Sequence, residues 1–273
     1  MLATHGDSAK VIAGGQSLVP MMAMRLVRPA FLVDINEIAE LKFVVIETDF
    51  ARTGACTRQV VLERDDRLAA RVPLLRQALA WVGHVQTRNR GTVGGSLAHA
   101  DPSAELPLAA QVLGATLVLR SAKGAREVDA RDFFSGPMMT SVRPDECLEE
   151  IRWPVWNEKR CGSAFSEISI RHGDFAMVSA AAQVALAADG RCTRATFGIG
   201  GAAGAPLAFP KIAARLVGTE LGDKAIEDAA SEAAKETEPG SDLHATREYR
   251  RHLARVLGAR ALREARERAR SAK

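Results

Sequence analysis

Two short segments of the chain combine consecutive glycines with amide and hydroxyl side chains, which are residue types that bind phosphate groups. The first segment, KVIAGGQSL, covers residues 10–18, and the second, RNRGTVGGSLAHADP, covers residues 88–102. Glycine permits positive φ angles and close approach of a ligand to the backbone, and successive backbone N–H groups in such turns bind anions. The two segments therefore predict that one phosphate-containing ligand is bound from two sides.

Neither segment matches a standard nucleotide-binding motif. The first lacks the Gly-Lys-Ser/Thr ending of the P-loop, and its spacing is not the Rossmann G-x-G-x-x-G. A glycine pair alone is as typical of an ordinary turn between a strand and a helix as it is of a phosphate-binding turn. The second segment strengthens the phosphate hypothesis, because Arg88 and Arg90 stand beside it and are expected to offset diphosphate charge.

Predicted secondary-structure elements surround both glycine segments. KVIA predicts a strand, LVPMMAMRLV a helix and FLVDI a second strand. Residues 42–50 then predict one strand, ARTGACT predicts a tight turn, and LLRQALAWVG predicts a helix that leads to the second glycine segment. An apolar helix follows Pro107, and ATLVLRSA, REVDARDFF and CLEEIRWPVW are typical of strands.

The last part of the chain has a different pattern. SAFSEISIR and VSAAAQVALAADGRCTRATFGIGGAA predict an antiparallel meander with a hairpin turn at ADG. From Ile212 onward the sequence predicts helices. The last of these is expected to present one apolar face made of Tyr249, Leu253, Val256, Leu257 and Ala261. The polar residues 157–160 predict a boundary between a domain 1–157, with subdomains of about 1–45 and 46–157, and a domain 158–273.

Composition excludes several classes of protein. With 47% hydrophobic and 26% charged residues, the 273-residue chain is an ordinary globular sequence long enough for two domains. Its net charge of +4 comes from residues 247–273, which hold ten Lys and Arg against three Glu, so the remainder carries −3. This distribution predicts a solvated helix face rather than a nucleic-acid site. No apolar run is long enough to span a bilayer.

The four cysteines, Cys56, Cys147, Cys161 and Cys192, are widely spaced and form no C-x-x-C pair. This spacing argues against a zinc ribbon or an iron-sulfur cluster bound within the chain, so no metal site is predicted. Widely spaced cysteines also favour a reduced, cytoplasmic setting.

Four stretches of the chain together carry a family resemblance: residues 13–41, 88–107, 143–154 and 248–262. In this order they resemble the FAD-binding medium subunit of the molybdenum hydroxylases, a family that includes carbon monoxide dehydrogenase and xanthine dehydrogenase. The resemblance implies an α+β protein, with a two-subdomain FAD-binding fold of the vanillyl-alcohol-oxidase type followed by a C-terminal domain with an antiparallel sheet and helices. Family members generally begin with about 25 further residues, so a strand and a helix are expected to be missing before residue 10.

The resemblance also implies which residues bind FAD. The two glycine segments supply Val11, Ile12, Ala13, Gly14, Gly15, Gln16, Ser17 and Leu18, and Thr92, Val93, Gly94, Gly95 and Ser96. Glu105 stands where the family has a cofactor-binding Asp, Leu148 matches an apolar flavin contact, and Phe175 falls where a side chain covers the isoalloxazine. Val82 matches a position beside one ring face, and Ser166 replaces a Lys that some relatives carry near the flavin.

The function implied by the resemblance is electron transfer through FAD. A large molybdopterin subunit would oxidise the substrate, a small subunit would carry two [2Fe–2S] clusters, and this chain would pass the electrons to an external acceptor, within a dimer of heterotrimers. No catalytic residue is assigned, because flavin electron transfer needs no general base; His84 and His99 are expected to be structural. Two alternatives remain open: a self-sufficient FAD-dependent oxidoreductase of the same superfold, and an assembly subunit without flavin.

Overall fold

The chain folds into helices and mainly antiparallel sheets, as seen in a computed structural model that describes residues 1–272. The helices are α1 Leu2–His5, α2 Leu18–Ala23, α3 Gln59–Arg64, α4 Asp66–Arg71, α5 Pro73–Leu79, α6 Val85–Arg90, α7 Val93–His99, α8 Glu105–Leu113, α9 Ala130–Phe133, α10 Pro210–Ala214, α11 Asp223–Lys235 and α12 Arg247–Ser271. The strands are β1 Ala9–Ile12, β2 Phe31–Asp34, β3 Val44–Ile46, β4 Phe50–Gly54, β5 Thr116–Ser121, β6 Gly124–Asp129, β7 Phe134–Gly136, β8 Met139–Thr140, β9 Cys147–Pro154, β10 Cys161–Ile168, β11 Val178–Leu186, β12 Cys192–Gly200 and β13 Leu207–Ala208.

The first glycine segment connects a parallel strand pair. Strand β1 pairs with β2 in the register Ala9 opposite Phe31, and α2 forms the crossover between them. This arrangement confirms the predicted order of strand, glycine turn, helix and strand. Pro20 lies in the first turn of α2, where its missing N–H group costs no helical hydrogen bond. The glycine turn therefore lies at the carboxyl end of β1.

A five-stranded sheet with the order β3-β4-β9-β5-β6 follows. The prediction of a single strand over residues 42–50 is wrong, because Thr48 and Asp49 reverse the chain and β3 and β4 form an antiparallel hairpin. The tight turn predicted within ARTGACT is confirmed at its end, where the Thr57 N–H donates to the Gly54 carbonyl at 3.0 Å, and the first residues of ARTGACT belong to β4. The REVDARDFF segment is a strand only as far as Asp129, whose carboxylate accepts a hydrogen bond from the Arg131 N–H at 2.8 Å and caps α9.

A four-stranded antiparallel sheet, β10-β11-β12-β13, confirms the predicted meander. One of its faces packs on α12, against which α11 packs in turn, and the other packs on α5 and α8. In α12 the predicted apolar face is only partly buried: Leu253, Leu257 and Ala261 are in the core, whereas Tyr249 is 45% exposed and Val256 is half-buried. None of the helices within residues 1–272 is both long and apolar enough to cross a membrane.

Candidate functional site

The first glycine segment presents free backbone donors. The N–H groups of residues 14–17 have no hydrogen-bond acceptor among residues 1–272. Gly15 has a φ of 72°, which re-aims the chain after β1, and the Gln16 side-chain amide donates to the Gly14 carbonyl at 3.2 Å. Buried or ligand-covered N–H groups require an acceptor, so this turn is suited to an anionic group. The phosphate hypothesis for the first segment therefore has a structural basis.

The second glycine segment differs from the first in its backbone hydrogen bonds. It is the first turn of α7, and its N–H groups are bonded within the protein: Val93 donates to the Thr57 carbonyl, Gly94 to the Ala55 carbonyl and Gly95 to the Thr92 hydroxyl, at 2.9–3.1 Å. A Cβ on Gly94 would lie 2.5 Å from the Ala55 Cβ. The Gly94 position thus permits close packing on the segment after β4, and the N–H groups of Val93, Gly94 and Gly95 are already paired within the protein.

The two segments contact each other directly. Gly14 packs against the Arg90 carbonyl and against Gly91, so closely that a Cβ on Gly14 would lie 2.9 Å from the Gly91 Cα. Asn36 holds the first turn from the other side, because its side-chain amide donates to the Ala13 carbonyl at 2.6 Å. The Arg58 guanidinium joins both segments by donating to Asn36 at 2.9 Å and to the Arg90 carbonyl.

A cleft of about 950 Å³ opens along this contact, within the size range of cofactor pockets. It brings together fourteen of the predicted cofactor contacts: Val11, Ala13, Gly14, Gly15, Gln16, Ser17, Leu18, Thr92, Gly94, Gly95, Ser96, Glu105, Leu148 and Phe175. Ile12 and Val93 do not line the cleft; Val93 is fully buried in the core beneath it. The two glycine segments thus meet at one cleft, although they contribute to it in different ways.

Apolar side chains also form part of the cleft wall. Leu148 of β9 and Val82 after α5 are buried parts of that wall. Phe175 also lines it but is 73% exposed, which is unusual for a large apolar side chain without a covering partner. Met138 and Met139, which the sequence analysis did not identify, lie at the same opening on the β7–β8 hairpin.

Arg88 of the second segment makes structural contacts. The Arg88 guanidinium forms a bidentate pair with Glu63 at 2.8 and 3.1 Å and also donates to the Val82 and Gly83 carbonyls. Its expected role toward a diphosphate is therefore not supported. Lys10 and His99 line the cleft instead. Their positions depend on tertiary packing, which a local sequence motif does not reveal.

Burial changes the titration of two groups in the wall. Mainly because it is buried, the Glu105 carboxyl has a pKa raised to about 7. Burial likewise raises the pKa of the Cys147 thiol to about 11. Cys147 therefore stays protonated at neutral pH and is not a nucleophile there. The residues of the cleft supply donors, shape and a carboxyl group that titrates near neutrality.

Comparisons with known proteins match this architecture along the chain. Residues 1–156 match the model of the FAD binding domain in molybdopterin dehydrogenase, and residues 163–265 match the CO dehydrogenase flavoprotein C-terminal domain. The chain belongs to this flavoprotein family. The resemblance seen in the sequence is thereby confirmed, and FAD is the cofactor of the family.

The flavoprotein relatives are subunits of larger enzymes. The chain is 37% identical to the 6-hydroxypseudooxynicotine dehydrogenase complex subunit alpha of Paenarthrobacter nicotinovorans, over 100% of this chain and 92% of the relative. It is 36% identical to the carbon monoxide dehydrogenase medium chain of Afipia carboxidovorans, over 99% and 93%. Reconstituted CO dehydrogenase from Oligotropha carboxidovorans has the same fold, with a TM-score of 0.95, 36% identity and coverage of 98% and 93%. These matches confirm the predicted fold class and show that the chain is a flavoprotein subunit of an oxidoreductase.

Proposed function

We propose that the chain carries electrons through FAD from the [2Fe–2S] clusters of a partner subunit to an external acceptor. The single observation that carries the proposal is the cleft, which is lined both by the first glycine turn with its unpaired N–H groups and by apolar side chains, in a chain of the flavoprotein family. When bound, FAD supplies the redox chemistry, since it accepts electrons singly and passes them on. The residues of this chain bind, orient and shield it.

The residues of the cleft fit FAD at both of its chemically distinct ends. The N–H groups of residues 14–17, together with the Ser17 hydroxyl, suit the diphosphate, because they are donors with no other acceptor. Leu148, Val82 and Phe175 suit an isoalloxazine ring, which is flat and largely apolar. We therefore propose the fourteen predicted residues that line the cleft as cofactor contacts, with Ile12 and Val93 supporting the backbone behind them.

The proposed assembly follows the subunit composition that the names of the relatives indicate. A subunit that holds only the flavin needs a large molybdopterin subunit and a small iron-sulfur subunit to supply electrons, and we propose a dimer of such heterotrimers. We also propose that residues 1–157 form the FAD-binding domain, with subdomains of about 1–45 and 46–157, and that residues 158–273 form a second domain.

The experiment compares Ser17→Asp with Ser17→Asn, two side chains of nearly equal size that differ in charge. Each variant is expressed with the partner subunits, and its flavin content is measured from the visible absorption spectrum. A carboxylate placed among the free N–H groups competes with a diphosphate and repels it, so Ser17→Asp should lose FAD while Ser17→Asn retains it.

Three outcomes would overturn parts of the proposal. A wild-type protein that is colourless after reconstitution with FAD would be an assembly subunit without flavin. A yellow protein that oxidises a substrate without any partner would be a self-sufficient oxidoreductase. Equal FAD content in Ser17→Asp and Ser17→Asn would remove the first turn from the diphosphate site.

A further inference from the structure

Glu167 is a buried acid without a cation or a hydrogen-bond partner. It lies in β10 and is 5% exposed, and neither of its carboxylate oxygens has a partner among residues 1–272. Its cross-strand neighbour is Ser179, whose hydroxyl is also buried and unpaired. An ionised carboxylate in such surroundings is strongly unfavourable, so this side chain holds a proton at neutral pH.

Glu105 lies on the same side of the C-terminal sheet and connects this buried group to the cleft. It is the first residue of α8, which packs on β11 and β12, and its side chain lines the cleft although it is only 7% exposed. Burial, and after it the negative charge of Glu105, raise the pKa of Glu167 to about 9. The charge of Glu105 thus acts on Glu167, because ionisation of the first carboxyl disfavours ionisation of the second.

The charged groups around the pair do not neutralise it. Asp101 raises the pKa of Glu105 further, and Arg88, which lowers it, is already bonded to Glu63. Two further titratable side chains line the cleft in α7 and in residues 173–175: His99 and Asp174. A negative charge that enters the cleft would make ionisation of Glu105 still less favourable, because like charges repel across a poorly solvated wall.

We propose that Glu105 and Glu167 form a proton-binding pair, in which Glu105 lines the cleft and Glu167 is buried and does not line it, and that Glu105 takes up a proton when FAD, with its anionic diphosphate, enters the cleft. The inference rests on the proposed function of the cleft as an FAD site. The balance is simple: one proton moves from solvent to the Glu105 carboxylate, and no bond of FAD changes. By linkage, FAD binds more weakly as the pH rises through the range in which the pair ionises.

The test measures proton uptake during FAD binding to the full chain without its flavin. Isothermal titration calorimetry at pH 7 in two buffers of different ionisation enthalpy gives the number of protons taken up per FAD. We expect a fraction of a proton for the wild type, almost none for Glu105→Gln, and an unchanged value for Glu238→Gln, an exposed glutamate in the loop after α11. The affinity of the wild type should fall between pH 7 and pH 9, while that of the Glu105→Gln/Glu167→Gln double variant should stay constant.

A second measurement needs no ligand. The infrared carbonyl band of protonated carboxyl groups should be present in the flavin-free chain at pH 7 and should weaken in Glu167→Gln but not in Glu238→Gln. FAD binding with no proton uptake, or an infrared band unaffected by Glu167→Gln, would overturn the inference and leave the proposed function standing. Failure of a folded wild-type protein to bind FAD at any pH would overturn both.

Discussion

Gly14 of the first glycine segment rests directly on the carbonyl group of Arg90 in the second segment. This contact joins two segments that are far apart in the chain, and the Arg58 guanidinium reinforces it by bonding to both sides. Because the backbones touch, the first turn, whose N–H groups are free, is positioned by the second segment, in which the N–H groups of Val93, Gly94 and Gly95 are paired. The cleft therefore depends on this contact for its geometry.

Gly14→Ala should separate the two segments. The added methyl group would overlap the Arg90 carbonyl and the Gly91 Cα, and overpacking of this kind costs about 1–3 kcal/mol. We expect a lower thermal unfolding midpoint and lower FAD content. Gly240→Ala is the matched control, since a Cβ there has no atom within 4 Å and should leave both properties unchanged. Wild-type stability and flavin content in Gly14→Ala would contradict the role of the contact.

Thr53→Val tests the central sheet beside the cleft. The Trp153 indole N–H donates to the Thr53 hydroxyl at 2.9 Å, and both residues are fully buried. Valine keeps the shape but leaves the indole N–H without an acceptor, which should cost about 1–3 kcal/mol of unfolding free energy in urea denaturation. Thr53→Ser retains the hydroxyl and should lose less. If the serine variant were the less stable of the two, the packing of the methyl group rather than the hydrogen bond would dominate.

Local patterns predicted the elements that carry the site, because glycine turns and strand alternation depend on nearby residues. The first glycine turn, the meander and the final helix are all where the sequence indicated them. The role of Gly94 was not predictable, since it depends on Ala55, a residue distant in the chain that accepts its N–H. The ion pair of Arg88 was likewise not predictable, since its partner Glu63 lies in another helix.

Glu167 shows even more clearly that local sequence patterns do not reveal tertiary contacts. In the sequence it is one glutamate in an alternating strand, and only the packing of α8 against the sheet makes it buried and unpaired. A polar residue in the middle of a predicted strand is usually exposed on one face. The tertiary fold decides which face of the strand is covered. The proton-binding pair of Glu105 and Glu167 could therefore be identified only in the structure.

Phe175→Ala should retain FAD and speed the reoxidation of the reduced protein by oxygen. The side chain lines the cleft and is 73% exposed, so its removal leaves the core intact and opens the site that we propose for the isoalloxazine. Stopped-flow absorbance after mixing with oxygen measures the rate. Ile170→Ala is the control, because Ile170 is an exposed apolar residue near Phe175 in the chain that does not line the cleft. Unchanged kinetics in Phe175→Ala would refute the shielding role.

Glu167→Gln should stabilise the protein at alkaline pH. The pKa of Glu167 is raised to about 9, so the folded state keeps its proton while the unfolded state loses it above the usual value of 4.5. Between these values the folded chain binds more protons, and the free energy of unfolding therefore falls as the pH rises. Glutamine cannot ionise in either state, which removes this loss and should stabilise the variant by more than about 1 kcal/mol at pH 8.

Calorimetric unfolding of wild type and Glu167→Gln at pH 5 and pH 8 checks the sign of this effect. The midpoint should rise by about 2 °C or more in the variant at pH 8, and the difference should shrink at pH 5, where the unfolded state also approaches protonation. Glu238→Gln, at an exposed position, should show no such pH dependence. A difference between Glu167→Gln and wild type that is equal at the two pH values would mean that Glu167 is ionised in the folded protein, which its unpaired and buried carboxyl oxygens argue against.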